Sequence, residues 1–219
     1  MNCTKTGKLT VWLVACGQGQ TGCKDGINRL PMYGQAKKCQ SQLDLDKEFL
    51  ETCDKQFKDR QEAAKYYISR GWGYFYKNEF DTAMMRFNQS WLLDSLNADI
   101  YWGYGNILGL RDRKFKESLD YLEKSLKINS NNARVWESAS TSYGQLFFET
   151  KDVELLNKGI DYLKTSIKLE PNNARTYGQL AAYYSYFIQK DSAKKYLEIA
   201  DSLDPNSVNP ELRKILSTD

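Results

Sequence analysis

Residues 119–134, LDYLEKSLKINSNNAR, return 41 positions later as residues 160–175, IDYLKTSIKLEPNNAR, with nine of sixteen positions identical and Leu exchanged for Ile at others. Such repetition constrains the chain more than any single residue does, because a short unit cannot bury its own apolar face and must stack on its neighbours. Comparing residues at helical spacing extends the copies. Ala83, Phe87 and Ser90 stand at intervals of four and three on one helix face, and Ser118, Leu122 and Ser125 repeat that spacing. So do Gly159, Leu163 and Ser166, and again Ala193, Leu197 and Ala200. A small, large, small stripe suits a helix that a second helix approaches closely and that one bulky side chain locks in place.

The partner helix lies upstream each time, as an aromatic residue, a small one four positions on, and a large one three further. The sets are Tyr67, Gly71, Tyr74; Tyr101, Gly105, Leu108; Trp136, Ser140, Tyr143; and Tyr177, Ala181, Tyr184. With Pro171 and Pro205 closing the later units, the chain resembles the tetratricopeptide repeat family, whose helix-turn-helix unit of about 34 residues has an aromatic, small, large first helix, an A-x3-F second helix and a closing proline. The resemblance implies an all-α fold, a right-handed α-solenoid of four repeats at 64–97, 98–132, 133–173 and 174–207. A leading helix within 43–63, centred near Leu45 to Phe57, and a closing helix within 209–219 would cap its ends. Repeat starts at Ala64, Ala98, Ala133 and Ala174 step by 34, 35 and 41, so the third unit carries about seven extra residues between Leu146 and Leu156, in its helices or its turn. Ser95 and Ser130 replace the proline in the first two units, where Asn97, Asn131 and Asn132 still favour turns.

The N-terminus reads differently. Lys5 and Lys8 precede an apolar run from Leu9 to Ala15, too short to span a bilayer but of secretory-signal type. Leu13-Val14-Ala15-Cys16 resembles the bacterial lipobox, which implies a signal peptide over 1–15 and lipid attachment at Cys16, with the mature protein facing the periplasm. The alternative is a short apolar segment packed on a cytoplasmic domain. Residues 16–42, rich in Gly and Gln at their start, are expected to form a flexible tether, although Leu30-Pro31-Met32-Tyr33-Gly34 is apolar enough to dock on the first helices. Of the remaining cysteines, Cys39 and Cys53 are candidates for a bridge stapling the leading helix, or for two reduced thiols.

Charge and side-chain chemistry narrow the function. Without Lys5 and Lys8 the chain holds 29 basic residues against 28 acidic, interleaved along the helices, which is not the footprint of a nucleic-acid binder. It has no histidine, so Ser/His and Cys/His nucleophile arrangements are excluded, and its cysteines lack the close pairs of zinc sites. No cofactor or metal is expected. Asp94, Glu170 and Asp204 sit where helices end, which suits solvated turns better than catalysis.

In tetratricopeptide proteins the groove is lined from the second, fifth, ninth and twelfth positions of each unit. Here these are Lys65, Ile68, Trp72 and Phe75; Asp99, Trp102, Asn106 and Gly109; Arg134, Glu137, Thr141 and Gly144; and Arg175, Gly178, Ala182 and Ser185. The resemblance implies a protein or peptide partner held by an aromatic end (Trp72, Phe75, Trp102), by Asn106 and Glu137, and by cations at Arg134 and Arg175. For the two tryptophans the competing expectation is packing against the leading helix or the Leu30 to Gly34 stretch. The reading that follows is a membrane-anchored, non-catalytic envelope adaptor. An envelope hydrolase using carboxylates and a cytoplasmic adaptor without an anchor stand as alternatives.

Overall fold

The computed structural model describes residues 22–187 and 189–217. Among these, ten α-helices follow one another without a strand: α1 (Gln40–Gln56), α2 (Arg60–Phe75), α3 (Phe80–Leu93), α4 (Ala98–Asp112), α5 (Phe115–Ile128), α6 (Ala133–Thr150), α7 (Val153–Leu169), α8 (Ala174–Tyr186), α9 (Lys190–Leu203) and α10 (Pro210–Ser217). Helices α2 and α3, α4 and α5, α6 and α7, and α8 and α9 pack as antiparallel pairs, and each pair stacks on the next through α3 and α4, α5 and α6, and α7 and α8. The result is an α-solenoid. Its units are legible as local signals: α4, α6 and α8 start at the alanines that open their units, and Asn97 and Asn132 cap α4 and α6 by accepting from Asp99 N and Arg134 N at 3.1 Å each.

The small, large, small stripes do what their spacing implies. A Cβ added at Gly105 would come 2.6 Å from Leu122 Cγ, and one at Gly71 would meet the Phe87 ring at 2.9 Å. Ser90 and Ser125 donate from Oγ to Ala64 O and Ala98 O at 3.1 and 2.9 Å, closing each pair at its far end. Phe87 also reaches the next unit, where a Cβ at Gly103 would lie 2.5 Å from its ring. Tyr183 makes the corresponding lock backwards from α8: its ring fills the space beside Gly144 and Gly159, and its hydroxyl donates to Ser140 O at 2.8 Å.

The extra residues of the third unit are helical. Helices α6 and α7 have 18 and 17 residues against 15 and 14 in α4 and α5, while both turns keep two residues, 113–114 and 151–152. Arg113 and Lys151 end α4 and α6 in the left-handed region, with φ of 54° and 61°.

Two expectations for the N-terminal part are corrected. Helix α1 is shifted against the expected leading helix over 43–63: it begins at Gln40, and the chain breaks after Gln56 because Asp59 caps α2, accepting from Glu62 N at 2.8 Å. From Lys24 onward the expected tether is a docked loop. Two short 3-10 turns, Ile27–Arg29 and Pro31–Gln35, lie on α3 and bury Ile27, Pro31 and Met32. The buried Asn88 Nδ2 donates to Asn28 O and Leu30 O, each at 2.9 Å, and its Oδ1 accepts from Tyr104 at 2.7 Å. Docking of the Leu30 to Gly34 stretch on the first helices is thus observed.

The bridge is Cys23–Cys39, not Cys39–Cys53. Cys39 caps α1 and Cys53 lies far along it, so a helix rising about 1.5 Å per residue holds them roughly 20 Å apart, well beyond disulfide reach. Cys53 is instead a buried thiol among Ala63, Ala64 and Leu93, its pKa pushed up by burial. The expected lipid-attachment residue, Cys16, and the signal peptide over 1–15 lie outside the described residues. No described helix is long and apolar enough to cross a membrane.

Candidate functional site

The first helices of the pairs, α2, α4 and α6, lie side by side, with α8 stacked on the third pair, and they form the face on which solenoids present extended surfaces. At one end the aromatic residues converge. The Trp72 and Trp102 rings are 4.2 Å apart between centroids, Phe75 meets Trp72 edge-on at 5.2 Å, and Tyr76 stacks on Trp72 at 6.0 Å with 29° between planes. Trp72 also packs on Phe87 and the core of the first two pairs, and Trp102 on the cluster between α5 and α6, so both tryptophans are packed as well as paired. The core cluster on which Trp72 packs includes Met32 of the Leu30 to Gly34 stretch, and no described ring contact joins either tryptophan to the leading helix. Tyr76, 68% exposed, is the residue of this cluster that solvent reaches best.

A ladder of polar bonds runs from this cluster toward α8. Trp102 Nε1 donates to Ser138 Oγ at 3.0 Å, Asn106 Nδ2 donates to Trp102 O at 2.8 Å, and Ser138 Oγ lies 3.3 Å from Asn106 Oδ1. Asn106 therefore ties α4 to α6. Further on, Gln179 Nε2 donates to Thr141 Oγ1 at 3.3 Å, tying α6 to α8. Asp99 is half-buried, and burial raises its carboxyl pKa.

Glu137 and Arg175 are less independent than their groove positions suggest. Glu137 is buried, and Arg175 Nε pairs with its Oε1 at 2.9 Å while Asn173 Nδ2 and Thr176 Oγ1 approach Oε2 at 3.4 Å. Its carboxylate is thus spent on joining α6 to α8. The Arg175 side chain is still 72% exposed, and Arg134 is exposed with no side-chain partner among the described residues. Tyr76, Trp102, Arg134, Glu137, Thr141 and Arg175 together face a cavity of about 280 Å³. Three charged and two aromatic side chains, from α4, α6, α8 and the residue that follows α2, meet there: an apolar wall beside two cations.

The carboxylates singled out at helix ends perform local work. Asp94 and Asp204 accept from Leu96 N and Asn206 N at 3.2 and 2.9 Å, and Glu170 ends α7. Asn129 does the same for Asn131 N at 3.0 Å, which explains how the second unit turns without proline. Among the described residues, no cluster of three or more His, Cys, Asp or Glu could hold a metal.

Sequence reasoning missed Tyr76, Ser138, Asn173 and Gln179. Ser138 and Gln179 share the sixth position of their units, four on from the second and three before the ninth and so on the same helix face, and Tyr76 follows the last groove position of α2. That adjacency is the signal that was available.

No protein-family model matches the chain, and no curated protein is similar to it in sequence. Solved structures do resemble it. Pseudomonas aeruginosa pilF superposes with a TM-score of 0.60 at 21% identity, over 72% of this chain and 67% of that one. A thermophilic TPR protein of Thermus thermophilus gives 0.59 at 17% identity, over 70% and 79%. The first TPR of Spaghetti (RPAP3), bound to an HSP90 peptide, gives 0.51 at 16% identity, over 58% and 95%. At such identities the likeness establishes the fold, a tetratricopeptide-type α-solenoid.

Proposed function

We propose that this chain is a non-catalytic scaffold that holds a segment of a partner protein on the face formed by α2, α4, α6 and α8, and that it does so in the bacterial envelope, anchored through a lipid on Cys16 and facing the periplasm. The observation that carries the binding role is the cavity where exposed Tyr76, backed by the Trp72–Trp102 pair, faces the exposed Arg134 and Arg175. Aromatic and arginine side chains dominate the energetics of protein interfaces, and here they stand together on rigid helices. A structural neighbour with a peptide bound supports the same use of the fold.

Two features support the envelope reading. The Leu13-Val14-Ala15-Cys16 run has the order of a lipidation signal, and the Cys23–Cys39 bridge soon after it suits an oxidising compartment.

The decisive comparison uses Tyr76→Ala and Arg134→Ala, which alter exposed side chains, in preference to Trp72→Ala, which would also remove core packing. Each is expected to lose the partner that co-purifies with the protein from its host's envelope fraction while its melting temperature stays that of the parent. Undiminished partner recovery in both would sink the groove assignment. The anchor is tested by intact mass: a chain beginning at Cys16 and carrying a diacylglyceryl group supports it, whereas an unmodified chain retaining residues 1–15 moves the scaffold to the cytoplasm.

A further inference from the structure

The same face does not end at Arg175. Beyond it, α8 and the segment leading into α10 enclose a second cavity of about 500 Å³. Its floor is Gly178, Ala182 and Ser185, the fifth, ninth and twelfth positions of the fourth unit. The equivalent positions of the first unit are Ile68, Trp72 and Phe75, so only in the last unit are all three small, and a hollow results. Its apolar wall is Tyr186, 51% exposed, from α8, with Leu212 and Ile215, the latter 60% exposed, from α10, while Ser207, Asn209 and Glu211 give it a polar rim. Helix α10 is held in place by Val208, buried against Gly178, and by the Arg213 pair with Asp201.

Two side chains connect this hollow to the first cavity. Arg175 lines both. Gln179, which lines the second cavity, uses its amide nitrogen on Thr141, at the edge of the first, while its Oε1 is buried and accepts no hydrogen bond among the described residues. A buried acceptor of that kind is costly unless a donor is brought to it.

Resting on the scaffold reading above, we infer that the hollow between α8 and α10 is a second subsite for the same partner segment, and that the segment is an extended internal stretch of protein carrying an acidic residue between apolar ones. Arg134 and Arg175 take the acidic side chain, the Trp72, Tyr76 and Trp102 cluster takes the apolar residue on one side, and the hollow takes the apolar residue on the other. The backbone N–H that accompanies it donates to Gln179 Oε1. An acyl chain or other hydrocarbon fills such a hollow but brings no N–H to the glutamine, and a basic segment would place its charge against the two arginines, so an acidic–apolar peptide is the occupant the chemistry selects.

The test is selection of a random peptide library, flanked by linkers at both ends so that no free terminus is offered, on the purified protein. Enriched sequences are expected to share an acidic residue with apolar residues on both sides. A synthetic version, and a shortened one lacking the apolar residue assigned to the hollow, are then titrated by fluorescence anisotropy. Ala182→Phe, which fills the hollow, and Leu212→Ser, which removes a wall, should each weaken the full peptide roughly tenfold, the scale of one buried apolar side chain, and leave the shortened one unchanged. Thermal melts confirm that both variants are folded. If neither variant distinguishes the two peptides while Tyr76→Ala still weakens both, the second subsite is overturned and the groove stands. If Tyr76→Ala and Arg134→Ala are also without effect, or the library enriches nothing, the groove reading falls with it.

Discussion

The glycines of the first helices show how much one side chain depends on what faces it. Gly73 and Gly103 both lie inside helices, yet a Cβ at Gly73 meets nothing within 4 Å whereas one at Gly103 would stand 2.5 Å from the Phe87 ring. Gly73→Ala is therefore expected to stabilise by about 0.5–1 kcal/mol, the helix preference for alanine. Gly103→Ala gains the same preference but overpacks a filled site, which costs about 1–3 kcal/mol, so the net change is destabilising. Urea titration of the two variants should show shifts of opposite sign. The repeat pattern identifies Gly71 and Gly105 as obligatory small residues, because their partners lie in the same unit. It is silent on Gly103, whose partner arrives from the unit before. The same applies to Glu137: its groove position is readable, but its burial follows from Arg175, Asn173 and Thr176 of the next unit.

Between elements, the N-terminal loop is the part whose stability has a single adjustable fastening. Cys23 and Cys39 close a loop across 16 positions, and its turns are also held by Ile27, Met32 and the Asn88 bonds. Replacing both cysteines by serine removes a closure worth up to about 3 kcal/mol for a loop of this size. The expected outcome is a lower urea midpoint and faster proteolysis within residues 24–38, with the repeats still resistant. Equal proteolysis of parent and variant would mean that the apolar contacts alone hold the loop. The extension of the third unit is an element-scale outcome of a different kind. Its residues were countable in the sequence, but their placement in α6 and α7 rather than in the turn reflects the left-handed stop at Lys151 and the cap at Asp152, which accepts from Glu154 N at 2.9 Å.

For the whole molecule, the interior is rich in tyrosine, and this sets its response to alkali. Burial raises the hydroxyl pKa of Tyr104, Tyr143, Tyr162 and Tyr183, the last to about 12. Each is neutral when folded, so its contribution is fully present below the unfolded value near 10 and is lost as pH rises through the folded one. Stability should be level up to about pH 9 and fall between about pH 10 and pH 12, as read by denaturant titration at each pH. Tyr183→Phe should make that fall shallower, and an unaltered slope would show that this hydroxyl ionises without unfolding. By itself the sequence determined the α-solenoid, the number of its units and the face that carries the aromatic and cationic residues, because period and side-chain size act within one unit and its neighbour. Only the tertiary structure decided that Cys39 bridges to Cys23, that Glu137 is consumed by an ion pair, and that a hollow opens between α8 and α10. A helix is a rigid rod that separates residues near in sequence, and the packing of successive pairs joins residues that no local pattern connects.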